Sequence, residues 1–225
     1  MSGFSPHWEV LPAAQGEIWT ALAGSAELGL VLYGGTAVAL RLGHRSSIDF
    51  DFFTEKPLNR EALANAFAFI ARSEVIQDRP DTLTVLAPVG QDRVRVSFFG
   101  GIAMGRAGVP ELTPGSTVEV ASPLDLLATK LKVMQQRIEV KDYWDVAALL
   151  RSGVQLEMGL AAARAMYYPT FEPSEAARAL TYFEGGDLSS LAENDKAILI
   201  GAVAQMRRIP VMGLASRSLS ARTPA

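Results

Sequence analysis

Cysteine is absent from the sequence of 225 residues, which contains only two histidines, His7 and His44. Disulfide bonds and thiolate metal sites are therefore excluded, and two histidines cannot build a histidine-rich zinc centre. The sequence also contains no apolar run long enough to span a bilayer and no basic region followed by an apolar one at its start. We therefore expect a cytoplasmic protein with no membrane partner.

A strong excess of either charge is missing as well. The chain carries 21 basic and 24 acidic residues, a formal net charge of −3. If it binds nucleic acid, it must use a local basic patch rather than a basic surface. The remaining composition, 49% hydrophobic and 20% charged, is ordinary for a globular protein.

The most informative stretch is residues 30–53, which read LVLYGGTAVALRLGHRSSIDFDFF. The pattern predicts a strand, a glycine turn, a short helix and a second strand. Asp49 and Asp51 lie two residues apart on that second strand, so both carboxylates project from one face while Phe50 and Phe52 point to the other. Such a pair can share Mg²⁺, which proteins usually bind through one or two carboxylates plus substrate phosphates.

The glycine turn supplies the second half of a site for phosphoryl or nucleotidyl transfer. Gly34 and Gly35 allow backbone amides to approach a phosphate, at the positive N-terminal end of the following helix, and Thr36 adds a hydroxyl. The two halves form one site only if their strands are neighbours. A calcium loop is disfavoured, because Phe53, with no glycine two residues after it, breaks that pattern.

A family resemblance rests on these residues. Gly-Gly-Thr, then twelve residues, then Asp-x-Asp resembles the nucleotidyltransferase signature of the polymerase-beta superfamily. More specifically, Gly-Gly-Thr-Ala with Arg-x-Ser-x-Asp-x-Asp-Phe-Phe resembles the AbiEii/AbiGii (MenT-like) nucleotidyltransferase toxin family. The resemblance implies an α+β fold, with a mixed β-sheet core flanked by helices and a helical C-terminal half. It also implies Mg²⁺ binding by Asp49 and Asp51, and nucleotide binding by Gly34, Gly35, Thr36, Arg45 and Ser47.

A second run, KLKVMQQRIEVKDYWDVAALL, resembles the later part of the same family. Carried over to these positions, Lys130 would contact the triphosphate, and Asp145 would supply a distal carboxylate near the metal or the acceptor hydroxyl. A plainer interpretation is a surface ion pair between Lys141 and Asp145, which lie four residues apart on a helix. In that interpretation Asp142 caps the helix or interacts with its dipole.

One position departs from the superfamily pattern. There the third carboxylate commonly lies on the strand that follows the paired acids, and the alternation of residues 93–99 places Ser97 in that position. Serine cannot replace an anionic ligand, so either the third acid comes from elsewhere or the site is weakened.

Three functions stay open. The leading one is a Mg²⁺-dependent toxin that moves an NMP from an NTP to a tRNA-like RNA or a protein, in phage defence or with an antitoxin partner. The second is a weak or inactive member that binds a nucleotide or a partner without transfer. The third is a structural domain that needs no metal.

The rest of the chain predicts the domain organisation. Periodicity predicts helices over 13–28 and 59–72, and strands over 74–78, 82–87 and 93–99. Ser122-Pro123 is a typical start for the helical half. We expect a nucleotidyltransferase-like core at 1–120, a helical region at 121–208, and a disordered tail at 209–225, where the sequence is small, polar and basic.

Overall fold

A computed structural model describes residues 4–115 and 118–222 of the chain. The fold divides into two units. The first contains the described residues of 1–105, 109–121 and 216–225, and the second contains residues 106–108 and 122–215. Residues 1–3 and 116–117 of the predicted core lie outside the described residues.

The first unit is built on a mixed sheet that has seven strands within residues 4–115 and 118–222. Its strands, in chain order, are β1 Val31–Tyr33, β2 Asp49–Phe53, β3 Glu74–Arg79, β4 Thr82–Val89, β5 Asp92–Phe99, β6 Glu111–Leu112 and β7 Glu119–Val120. They lie in the order β3-β4-β5-β2-β1-β7-β6. The β2–β5 and β1–β7 pairs are parallel, and the other four pairs are antiparallel. The predicted mixed sheet is confirmed.

Three short helices belong to the same unit: α1 Ala13–Trp19, α2 Gly34–Leu42 and α3 Arg60–Ala66. The prediction of one helix over 13–28 is wrong. The α-helix ends at Trp19 and two 3₁₀ turns follow, which are separated at Gly24, where the backbone takes the left-handed conformation with φ +89°. The predicted Asn59 cap is confirmed by a 2.9 Å hydrogen bond that its side chain accepts from the Ala62 amide.

Alternate side chains of the central strands β2 and β5 are buried on one face of the sheet, so the residues between them point to the other face. Phe50 and Phe52 of β2 and Phe98 of β5 have no exposed surface. The Phe98 ring stacks on Phe52 and on Phe67, at centroid distances of 5.7 and 5.2 Å. A slip of one residue would turn every side chain of β2 to the opposite face, so this packing holds the register that points Asp49 and Asp51 away from the core.

The second unit is helical. Its helices are α4 Pro123–Val133, α5 Val140–Arg151, α6 Leu156–Met166, α7 Pro173–Ala179 and α8 Glu193–Gln205. The α4 helix packs against α5 and α6, while α8 packs against α5 and α7 against α6. The predicted start of α4 is confirmed, since the Ser122 hydroxyl accepts a hydrogen bond from the Asp125 amide. Within the part of the chain that the structure describes, no helix has the length and apolarity needed to cross a membrane.

The C-terminal segment corrects one prediction. A disordered tail over 209–225 is wrong for residues 219–221, because Leu219 and Ser220 are buried in the first unit. The Glu55 carboxylate accepts a hydrogen bond from the Leu219 amide at 3.0 Å. The Glu119 carboxylate accepts hydrogen bonds from the Ser220 hydroxyl and from the Ala221 amide. Residues 223–225 of the predicted tail lie outside the described residues.

Candidate functional site

The start of α2 lies directly against the second carboxylate of β2. Gly34, its first residue, has φ +74°, a conformation that other residues rarely adopt. A Cβ atom added to Gly34 would lie 2.6 Å from Oδ2 of Asp51, well inside van der Waals contact. The N-cap residue, Tyr33, provides no side-chain cap to the helix. The structure therefore brings together the glycine turn and the paired acids that the sequence analysis treated as two halves of one site.

Asp49 and Asp51 share one face of β2 and remain partly exposed, and the Asp49 side chain is 39% accessible. They alternate with the buried Phe50 and Phe52, as the strand period requires. Two partly exposed carboxylates on one face of a strand form an arrangement that could hold a single cation.

The neighbouring parallel strand places two more side chains on this face. In the β2–β5 register Asp49 lies opposite Arg95, and Asp51 lies opposite Ser97. Ser97 is only 3% exposed, and its hydroxyl lies 3.3 Å from that of Thr84 on β4. The predicted position of Ser97 beside the paired acids is confirmed, and it brings no negative charge there.

Thr36 has a different surrounding from the one we expected. Its side chain is 1% exposed, and its hydroxyl donates to the Asp49 carbonyl and lies 2.8 Å from the Ser47 hydroxyl. These contacts connect the first turn of α2 to the start of β2. They correct the expectation that the Thr36 hydroxyl contacts a phosphate, because it is buried and already engaged. Ser47, 8% exposed, belongs to the same contact.

Arg45 brings positive charge to the start of α2. Its guanidinium lies so close to Gly35 that a Cβ there would collide with Nη2. Nη1 donates to the Ser46 carbonyl at 3.0 Å, which holds the side chain across the segment leading into β2. Position 35 therefore requires glycine, because the Arg45 guanidinium approaches its backbone too closely for a side chain. The same guanidinium adds positive charge at the N-terminus of α2, where anions bind favourably.

The acids of this site fit a single magnesium ion better than a pair of ions. Within residues 4–115 and 118–222, no group of three or more His, Cys, Asp and Glu side chains is arranged to hold a metal ion. Asp49 and Asp51 supply two hard oxygen ligands on one face. That matches the usual environment of Mg²⁺, in which one or two carboxylates bind together with substrate phosphates and water.

The later motif forms a buried ionic cluster within the second unit. Lys130 on α4 is 6% exposed, and its Nζ lies 2.8 Å from Oδ1 of Asp142 and 2.6 Å from Oδ2 of Asp145, both on α5 and both fully buried. Arg137, between the two helices, donates from Nε to Asp142 at 2.9 Å. The alternative pairing of Lys141 with Asp145 is wrong, because Lys141 contacts Glu139 at 2.8 Å instead.

Asp142 is the centre of this cluster. Burial alone would raise the pKa of its carboxyl, but the hydrogen bond from Arg137 and the charge of Lys130 outweigh it, so the pKa lies below the ordinary value. Asp142 therefore carries a negative charge that holds two cations in fixed positions. The sequence suggested that Asp142 caps the helix or interacts with its dipole, although its position three residues before Asp145 places both acids on one face of α5.

The sequence matches a known family over most of its length. The model of the family described as nucleotidyl transferase AbiEii toxin, Type IV TA system, matches residues 20–198. The chain belongs to this family. The match includes the glycine turn, the paired acids of β2 and the ionic cluster of α4 and α5, so the resemblance that the motifs suggested is confirmed. Nucleotidyl transfer is accordingly the class of activity of the family.

Two further similarities were found. An uncharacterized protein of Aquifex aeolicus (strain VF5) is 33% identical over 122 residues, which cover 53% of this chain and 57% of that protein. The chain therefore matches little more than half of the length of this relative. The solution structure of the antibiotic-resistance factor ANT(2'')-Ia is similar with a TM-score of 0.47 and 18% identity, covering 66% of this chain and 88% of that one. Similarity of that degree adds nothing to the fold described above.

Proposed function

We propose that this family member is a cytoplasmic, Mg²⁺-dependent nucleotidyltransferase that moves an NMP from an NTP to a hydroxyl on an RNA or protein acceptor. The family description supports a toxin that works with an antitoxin. We also propose a role in phage defence and a tRNA-like acceptor, and both of these rest on the family resemblance alone.

One observation carries the proposal: the first residue of α2 lies against the carboxylate of Asp51. A helix N-terminus binds phosphate through its free amides and its positive dipole end. Paired carboxylates bind a divalent ion. Because the two features are in contact, a nucleotide whose phosphates lie at the start of α2 would also reach the ion held by the acids.

Each site residue of the first unit then has a proposed role. Asp49 and Asp51 would hold Mg²⁺, which would neutralise charge on the reacting phosphate and lower the pKa of the attacking hydroxyl. The Gly34 and Gly35 amides would hold phosphate oxygens, and Arg45 would offset their charge. Thr36 and Ser47 connect α2 to β2 and so keep the two halves aligned. For Lys130 and Asp145 the roles of triphosphate contact and distal carboxylate rest on the family resemblance alone. In the structure both side chains are buried and contact each other at 2.6 Å.

The reaction would proceed as an in-line displacement. The acceptor oxygen forms a bond to the α-phosphorus, the bond from that phosphorus to the bridging oxygen breaks, and pyrophosphate leaves with the electron pair. The hydroxyl proton passes to solvent or to a carboxylate of the site. The protein contributes mainly by positioning the two reactants and by stabilising charge on the phosphates.

Binding is the first test. Thermal unfolding of the wild type and of the Asp49→Asn/Asp51→Asn double variant is measured with Mg²⁺ and each of the four NTPs in turn. A ligand at a hundred times its Kd stabilises the folded state by about 2.7 kcal/mol, which a melting curve resolves. We expect a shift with at least one NTP that is lost in the double variant. The absence of a shift with every NTP would contradict the proposal.

Ser97 favours a second candidate, a member that binds a nucleotide without transferring it. Serine lies beside Asp51 at the position where the superfamily has its third acid. Both candidates predict stabilisation by an NTP, so binding does not separate them. Incubation with NTPs labelled at the α-phosphate, together with tRNA or cellular protein as acceptor, does. Label on an acceptor supports the enzyme, and saturable binding with no transferred label supports the binding module.

A further inference from the structure

An arginine that the family resemblance does not include lies on the face of the sheet that carries the paired acids. Arg95 on β5 is the register partner of Asp49 on β2, one position before the Ser97–Asp51 pair on that face. Partners in a parallel ladder point to the same side of the sheet. Arg95 therefore projects beside the two carboxylates rather than into the core.

The contact that Arg95 makes with Asp49 leaves its guanidinium available. Nε of Arg95 lies 4.0 Å from Oδ1 of Asp49, which is too long for a hydrogen bond, and its side chain is 53% exposed. Arg93, two residues earlier on the same face, differs in this respect: its Nη1 donates to Glu74 at 2.7 Å. The two arginines are equally exposed members of one strand, but only Arg95 is next to the acids.

Arg95 supplies positive charge at a site where the neutral Ser97 takes the position of a third carboxylate. Where a third carboxylate is present on this face, it can help to recruit a second divalent cation. Ser97 provides no such charge, and Arg95 provides a permanent positive charge one side chain away. Guanidinium groups bind phosphate through paired hydrogen bonds, with a geometry that a metal ion or a lysine does not reproduce.

We propose that Arg95 is a phosphate-binding residue of this site, which contacts the phosphate chain of the NTP beside the ion held by Asp49 and Asp51. This inference rests on the proposed function and adds to it. Arg95 takes the place of a second metal ion as the source of positive charge. Its side chain leaves Asp49 when the ion binds there, and its two terminal nitrogens face phosphate oxygens.

The test compares Arg95→Gln, Arg95→Lys and the matched control Arg93→Gln, which removes the same charge from the same strand and face. Each protein is titrated by calorimetry with Mg²⁺ and the NTP that stabilises the wild type, supplied as its non-transferable α,β-methylene analogue. The corresponding NMP is titrated in parallel. Melting temperatures without ligand show whether each variant is folded.

Loss of a charge-assisted contact should weaken NTP binding about tenfold to a hundredfold in Arg95→Gln. We expect Arg95→Lys to recover part of that loss, NMP binding to change less than threefold, and Arg93→Gln to bind as the wild type does. Equal affinity of Arg95→Gln and the wild type would overturn the inference while leaving the proposed function intact. So would an equal loss in Arg93→Gln, which would show an effect of general surface charge. Failure of the wild type to bind any NTP would overturn both proposals.

Discussion

Replacement of Gly34 by alanine should destabilise the first unit by about 2–5 kcal/mol, the sum of two costs. The left-handed backbone at φ +74° is the first, and it costs an ordinary residue about 1–2 kcal/mol. The second is the contact with Asp51. The added Cβ would lie 2.6 Å from Oδ2, and ordinary contact begins at 3.4 Å, so 3.4 − 2.6 = 0.8 Å of movement is required. Overpacking of this kind costs about 1–3 kcal/mol.

Gly90 provides a control that carries only the first cost. It has φ +58° in the turn between β4 and β5, and a Cβ there would have no atom within 4 Å. Gly90→Ala should therefore cost about 1–2 kcal/mol. In an Asp51→Ala background, Gly34→Ala should fall to a similar value, because the carboxylate that the Cβ meets is gone.

The assay must report on the first unit alone. The chain has three tryptophans, of which Trp8 and Trp19 belong to the first unit and Trp144 to the second. Urea denaturation followed by tryptophan fluorescence in a Trp144→Phe background then measures the free energy of unfolding of that unit. If Gly34→Ala costs no more than Gly90→Ala, the close approach of α2 to the Asp51 carboxylate is refuted, and with it the observation on which the proposed function depends.

Three other changes test further contacts by urea denaturation. The two in the first unit use the Trp144→Phe background, and those at Lys130 and Lys132 in the second unit keep Trp144 as the reporter and replace Trp8 and Trp19 by phenylalanine. Ser97→Asp places a third carboxylate about one strand spacing from Asp51 and should lower the free energy of unfolding by about 3 kcal/mol without metal. Mg²⁺ should restore part of that stability. A loss that does not depend on Mg²⁺ would contradict the pairing of Ser97 with Asp51. Lys130→Met leaves two buried carboxylates without their shared cation and should cost about 3–5 kcal/mol. The control Lys132→Met, at a half-buried lysine with no carboxylate partner among the residues that the structure describes, should cost under about 1 kcal/mol. Ser220→Ala removes a donor from the buried Glu119 carboxylate and should cost about 1–3 kcal/mol; a neutral result would place the C-terminal segment in solvent.

Local pattern was sufficient for the parts of the site that are close in sequence. The apolar run before Gly34 and the alternation of Asp49 to Phe52 predict a strand, a turn, a helix and a strand without any knowledge of the fold. The start of α4 was similarly evident from Ser122-Pro123, because a hydroxyl cap followed by proline suits the first helical turn. Such signals depend on interactions within a few residues, so the sequence displays them directly.

Pairing between distant strands could not be read in the same way. The alternation of residues 93–99 gave the face of Ser97, but the parallel pairing that puts Ser97 next to Asp51 and Arg95 next to Asp49 joins segments more than forty residues apart. Strand order depends on packing across the whole sheet, and no local pattern specifies it. Arg95 therefore escaped notice as a site residue, although its position two residues before Ser97 was a usable signal.

The C-terminal segment and the ionic cluster of the second unit show a related limit. The composition of residues 216–222 is typical of disorder, yet Glu119 and Glu55 accept hydrogen bonds from it. The composition of a segment does not show that two carboxylates distant in sequence will accept hydrogen bonds from it and stabilise it. Likewise Lys141 and Asp145 have the spacing of a surface pair, but burial of Asp145 selects a partner from another helix, Lys130. Spacing predicts which pairs can form, and burial decides which do.

The charges on the open face of the sheet suggest why serine and arginine occur together there. Asp49 and Asp51 with Arg95 sum to −1, and a carboxylate in place of Ser97 would make the sum −2. Two carboxylates at about 5 Å repel by about 3 kcal/mol at an effective dielectric constant of about 20. A neutral Ser97 therefore removes repulsion that the fold would otherwise bear without metal. Binding of one divalent ion then brings the sum to −1 + 2 = +1, which suits a phosphate chain without requiring a second ion.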